Sequence, residues 1–177
     1  ATVLLLTLVP DHRPQTIRLD LVSRLRWVAT FPVTWYIAAT NIMARIGWGV
    51  IVTFFPVFLI VTYGLETAEV ALPVAVVALW ATAAPLLGGR IGRARRRGPV
   101  TAALLLTATI PGLGVFLLGW GAWSSAMMAG LFMLLIVPVT TILSILCAET
   151  GGASRGTLAG VISSSNWGGT AAGCLLY

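Results

Sequence analysis

The chain has 177 residues, of which 58% are hydrophobic and 9% charged, and its mean hydropathy is +0.98. A soluble domain of this size carries about a quarter charged residues, so an ordinary soluble fold is excluded and an all-α polytopic membrane protein is expected. The formal net charge of +6 rests on eleven arginines with no lysine, ten of them in short connectors between apolar runs, and the densest of these, Arg90 to Arg97, has no aromatics interleaved and points to no nucleic-acid partner.

Residues 1–10, ATVLLLTLVP, are too short to cross a bilayer and lack the initiating Met and basic start of a signal peptide. They read as the tail of a truncated transmembrane helix. Residues 11–32 form a loop carrying Arg13, Arg18, Arg24 and Arg26. Residues 33–177 then form a transmembrane bundle with spans at about 33–63, 70–88, 99–119, 122–148 and 157–177, since about 20 helical residues cross a hydrocarbon core of about 30 Å. The last run reaches the end of the sequence without a polar flank. Both ends therefore suggest an internal fragment of a longer protein.

The connectors alternate in charge. The loop at 11–32, the knot Arg90, Arg93, Arg95, Arg96 and Arg97, and the connector with Arg155 are basic; YGLETAEV carries Glu66 and Glu69, and GWGAWSS carries only Trp120 and Trp123. Arginine-rich short loops stay cytoplasmic. The expected topology is thus multi-pass, in the plasma membrane, with the arginine-rich loops in the cytoplasm. Gly88, Gly89, Gly92 and Gly98 are read as turn residues using the positive φ open to glycine.

Within the spans, Arg45 lies about 18 Å along its helix from Val33. A lipid-facing arginine at the bilayer centre costs at least about 2.5–3.5 kcal/mol, so it is expected to face water, a ligand or a buried acid. Asn41, Arg45, Trp48 and Val52 share a helix face, and Asn41 is placed to hydrogen-bond Arg45. Three readings stand: a substrate or gating contact, a structural ion pair with an acid in a missing half of the protein, and a helix register other than the one counted from Val33. Thr140, Ser144 and Cys147 share a face below Pro138, either lining a cavity or bonding their own helix. Gly160, Ser163, Asn166, Thr170 and Gly173 form a small, polar face suited to helix packing, with Gly169 and Gly173 as a G-x-x-x-G pair. Asn166 is kept as a cavity candidate because a mid-membrane amide needs a partner. Pro56, Pro111 and Pro138 mark expected kinks. Cys147 and Cys174 lie in apolar runs and imply no disulfide framework.

No enzyme constellation is present. The single histidine, His12, is in a loop, no H-E-x-x-H or G-x-S-x-G occurs, and the acids lie near helix ends or in loops. No metal and no cofactor are expected.

The stretch GGRIGRARRRG resembles the cytoplasmic signature of the major facilitator superfamily (MFS), G-x-x-x-D-R-x-G-R followed by Arg or Lys. Arg90, Gly92 and Arg93 match its core, while Gly89 stands at the acid and Pro85 at the first glycine. NIMARIGWGVIVTFFPVFL is similar to the helix that opens the family's C-terminal half, and AETGGASRGTLAGVISSSNWGG to a later connector and its Gly-rich helix. The resemblance implies an MFS-type bundle covering the tail of helix six, helices seven to ten and helix eleven. It further implies a secondary active transporter that moves a small-molecule substrate by alternating access, with an N-terminal half of the same chain, the lipid bilayer and a coupling proton or ion as partners. Asn41, Arg45, Trp48, Thr140, Ser144 and Asn166 would then belong to the substrate cavity or gate, and Arg90, Gly92 and Arg93 to the loop motif. A non-transporting membrane scaffold or sensor with the same fold is the alternative.

Overall fold

A computed structural model of the chain describes residues 23, 26, 29–92, 97–117, 120–150 and 155–175. These residues form five long helices and no strand: α1 (Pro32–Tyr63), α2 (Thr67–Ile91), α3 (Arg97–Leu117), α4 (Ala122–Thr150) and α5 (Arg155–Leu175). The helices fall on the five expected runs. Of the expected loop 11–32, Ser23, Arg26, Ala29 and Thr30 are helical; residues 1–10 and most of that loop lie outside the described residues.

The ends of α2 differ from expectation for physical reasons. At its start the Glu66 backbone N–H donates to the Glu69 carboxylate at 2.9 Å, so these acids open the helix instead of forming a loop. At its end the Gly92 N–H donates to the Gly88 carbonyl at 2.7 Å, and Gly92 keeps a right-handed helical φ of −61°. The expected turn role of Gly88, Gly89, Gly92 and Gly98 is therefore corrected. Among the described residues, positive φ occurs only at Gly64 (65°) and Gly121 (106°), in the two connectors without arginine.

Residue pairs fix the helix directions. Gly49 meets Thr170 and Gly173, and Gly169 meets Ile42 and Arg45, so α1 and α5 run parallel in one register. Gly130 lies under Trp80, Gly88 against Pro138 and Thr141, and Gly92 against Ile145, so α2 and α4 are parallel too. In contrast, α4 opposes both α1 and α3: Tyr63 hydroxyl shares a 2.9 Å hydrogen bond with Ser125, Ser125 reaches the Val115 carbonyl, and Arg97 forms a forked ion pair with Glu149. Successive helices thus alternate in direction. The last turns of α2 and α4 and the first turns of α3 and α5 lie at one end of the bundle, and Gly64 and Gly121 at the other.

Helix α4 forms the centre. Its Phe132 ring fills the slots left by two glycines: a Cβ on Gly47 of α1 would lie 2.6 Å from that ring, and one on Gly112 of α3 would lie 2.9 Å from it. Phe55, Leu59, Val115, Val139 and Leu143 complete the core. Outward, Val61, Leu79, Leu86, Ile110 and Leu117 are largely exposed. Helices apolar on both inner and outer faces suit lipid as the surrounding solvent.

Four helices, α1 to α4, are long and apolar enough to cross a membrane. The fifth expected span, α5, reaches crossing length with 21 residues but does not meet that apolarity, because Ser163, Ser164, Ser165 and Asn166 interrupt it. Its parallel seat on α1 nevertheless carries it alongside the most central part of that helix.

Candidate functional site

Arg45 sits about 20 Å along α1, whose 32 residues span about 48 Å. That places the cation near the middle of the bundle. Close approach of α5 is what gives it a partner there. A Cβ on Gly169 would lie 2.7 Å from Arg45 Cβ and 2.8 Å from the Ile42 carbonyl oxygen, and one on Gly173 would lie 2.5 Å from the Ile46 carbonyl oxygen. Only glycine permits backbones this close, as small residues commonly do between membrane helices.

The proximity closes a polar knot. Asn41, fully buried, donates from Nδ2 towards the Ile162 carbonyl at 3.1 Å, Ser165 Oγ at 2.7 Å and Asn166 Oδ1 at 2.8 Å. Arg45 Nε donates to the same Asn166 Oδ1 at 2.8 Å. One amide oxygen thus accepts from both α1 side chains. The expected direct bond from Asn41 to Arg45 is replaced by this bridge, because Asn41 points to α5. Asn41 Oδ1 is buried with no hydrogen-bond partner among the described residues.

Beyond Nε, the guanidinium faces a cavity of about 300 Å³ between α1, α2 and α4, with Trp48, Pro85, Ile136, Thr140 and Thr141 in its wall. The Arg45 guanidinium carbon lies 5.8 Å from the centre of the Trp48 ring, within cation–π range. Thr140 Oγ1 donates to the Val137 carbonyl at 2.9 Å and keeps its lone pairs for a donor. Among the described residues, no acidic side chain lines this cavity.

The structure therefore brings Arg45, Trp48 and Thr140 to one cavity and Asn41 and Asn166 to the knot behind it. Ser144 is exposed and donates to the Thr140 carbonyl at 2.9 Å, away from the cavity, and Cys147 is buried in the core. Val52, expected on the Asn41 face, is exposed. On α5 the contact with α1 is rotated from the expected small, polar face and overlaps it in part: Asn166, Thr170 and Gly173 meet α1, Gly160 and Ser163 are exposed, and Leu158, Ile162, Ser165 and Gly169 are buried beside them. Ser165 carries a site contact that the sequence reading missed. Its signal was its four-residue spacing from Gly169. In the loop motif, Arg90 is exposed in the last turn of α2, Gly92 packs against Ile145, and Arg93 lies outside the described residues. Arg97 forms its ion pair with Glu149 at that same end.

Fold and composition define the class: an all-α, multi-pass integral membrane protein. Compared with known proteins, the chain matches no family model, no curated protein and no solved structure.

Proposed function

We propose that this bundle is half of a secondary active transporter of the major facilitator type, which carries a small solute by exposing a mid-membrane site alternately to its two sides. The observation that carries the reading is the Arg45 guanidinium, held at Nε in the middle of the bundle and turned to a cavity with no acid in its wall among the described residues. An arginine at that depth is costly unless it serves a ligand or a pathway. The arrangement of directions supports the same reading, because the two parallel pairs, α1–α5 and α2–α4, give a compact unit suited to rocking against a partner unit.

In this reading the second unit is another half of the same chain, and a proton or ion supplies the driving force. Arginine does not release its proton near neutral pH, so any titrating carrier lies outside this cavity. The work is binding and release, with no catalytic chemistry. The arginine-rich end, with Arg90 and the Arg97–Glu149 pair, faces the cytoplasm of a plasma membrane.

Vesicles carrying the full-length protein test the function: time-dependent, saturable movement of a labelled solute is expected, and its absence across a broad solute panel would favour the scaffold or sensor reading. Orientation is tested separately. With Cys147 and Cys174 replaced, single cysteines at Arg90 and Glu66 should label from opposite sides of the membrane, and labelling from one side would refute the topology.

A further inference from the structure

A second cavity, of about 260 Å³, is walled by Phe55, Val77, Ala78 and Met133 and shares Trp48 and Ala81 with the wall of the Arg45 cavity, so the two are neighbouring lobes on either side of these residues. Their chemistry differs sharply. Among the described residues, the Arg45 lobe holds one cation and two threonine hydroxyls with no acid. The second is apolar except for Thr82, whose hydroxyl is committed to the Leu79 carbonyl at 2.8 Å.

We infer that the site takes a small amphipathic monoanion, a carboxylate on a compact apolar body, with its head on Arg45 and its body past Trp48 in the second lobe. The inference rests on the transport reading for its biological purpose, while the binding chemistry stands on these side chains alone. Arg45 Nε is occupied by Asn166, which is itself held by the fully buried Asn41. The guanidinium is thereby oriented, and its two Nη groups have no hydrogen-bond partner among the described residues. A fork so fixed matches a carboxylate through two parallel hydrogen bonds. A cationic ligand would be repelled, and a neutral one would leave a mid-membrane charge unpaired.

Size and lining narrow the body of the ligand. Each lobe is at or below the lower end of the range of about 300–1,000 Å³ usual for small-molecule sites. Among the described residues, Thr140 and Thr141 are the only hydroxyls in the wall beside the cation. A sugar or nucleotide would leave many hydroxyls unmatched there, whereas a phenyl or short alkyl group fits against Trp48, Phe55 and Met133.

The test uses full-length protein in lipid nanodiscs and labelled 4-phenylbutyrate as the probe, competed with benzoate, 4-phenylbutanamide and 4-phenylbutylamine. Saturable binding is expected, with the amide and the amine competing at least about tenfold more weakly than unlabelled acid, the factor set by a charge-assisted hydrogen bond. Arg45→Gln should lose at least that factor and Arg45→Lys part of it. Ala81→Phe, which adds bulk at the wall shared by the two lobes and leaves the cation in place, should weaken 4-phenylbutyrate more than benzoate. If Arg45→Gln fails to fold, the wild-type competition series and Ala81→Phe decide the matter. Equal competition by the amine, or unchanged binding by folded Arg45→Gln, overturns the inference. The two readings separate cleanly. Carboxylate binding with this profile in a protein that moves no solute refutes transport and leaves the site standing, whereas vesicles that move only neutral or cationic solutes leave transport standing and refute the anion site.

Discussion

The pairs α1–α5 and α2–α4 are both parallel, both seated on glycines, and enclose different chemistry. Between α1 and α5, Gly49, Gly169 and Gly173 let the backbones approach until an amide side chain reaches a carbonyl of the other helix. Between α2 and α4 the same closeness is filled by Trp80 on Gly130, Pro138 and Thr141 on Gly88, and Ile145 on Gly92. The first contact is directional, because hydrogen bonds from Asn41 work in one register only; the second rests on shape. Glycine supplies proximity in both cases, and the residues one turn away decide whether it becomes a polar site or a dry seam.

The largest effects should come from removing the proximity itself. Gly173→Leu drives a Cβ to 2.5 Å from the Ile46 carbonyl oxygen, and Gly88→Leu drives one to 2.7 Å from Thr141 Cβ and 3.0 Å from Pro138 Cα. Overpacking of this kind costs about 1–3 kcal/mol or more. Both variants should lose the monodisperse peak on size-exclusion chromatography in detergent. Gly160→Ala, with nothing within 4 Å of the added Cβ, is the matched control and should be neutral or slightly stabilising. If Gly160→Ala were as harmful as Gly173→Leu, the rotation of α5 described above would be wrong.

A smaller effect should distinguish the polar pair from the dry one. Asn41→Leu deletes the donor shared among Ile162, Ser165 and Asn166. Interhelical hydrogen bonds in membranes are worth about 0.6–2 kcal/mol, so a modest fall in thermal stability is expected, together with weaker probe binding because Asn166 no longer holds Arg45 from a fixed position. Unchanged binding would show that the knot packs the helices without orienting the cation.

The smallest effect is expected at the basic end. Arg97 and Glu149 form their forked pair with Glu149 largely in solvent, where such pairs contribute little and are screened by salt. Arg97→Ala and Glu149→Gln should leave unfolding in detergent nearly unchanged. A large loss from either would move the pair from the periphery of the account to its structural centre.

Most of the helical layout was legible because apolar runs, arginine-rich connectors and glycine punctuation all mark the same boundaries. What the sequence could not supply was rotation. The spacing of Gly160 and Ser163 with Asn166 defines a face as regular as that of Ser165, Gly169 and Gly173, and only the partner helix leaves Gly160 and Ser163 outside while it takes Asn166 at the margin of the contact. The same limit explains Gly88 and Gly92, which look like turn residues beside five arginines and serve instead as packing slots inside a helix end. Arg45 stood out because its charge is anomalous at that depth, but its cavity is walled by Pro85, Ala81 and Thr141 from other helices, which carry no signal of their own.

The most direct test of the central claim, that Arg45 works through its charge and forked geometry at a mid-membrane site, is transport per inserted molecule for Arg45→Ala and Arg45→Lys in the full-length protein. The account predicts no transport by the alanine variant and impaired transport by the lysine variant, with insertion and abundance preserved in both because a costly midplane charge is removed or kept and never stranded. Normal transport by Arg45→Ala would contradict it, as would a fall in abundance rescued by neutralising an acid elsewhere, which would make Arg45 a structural ion pair.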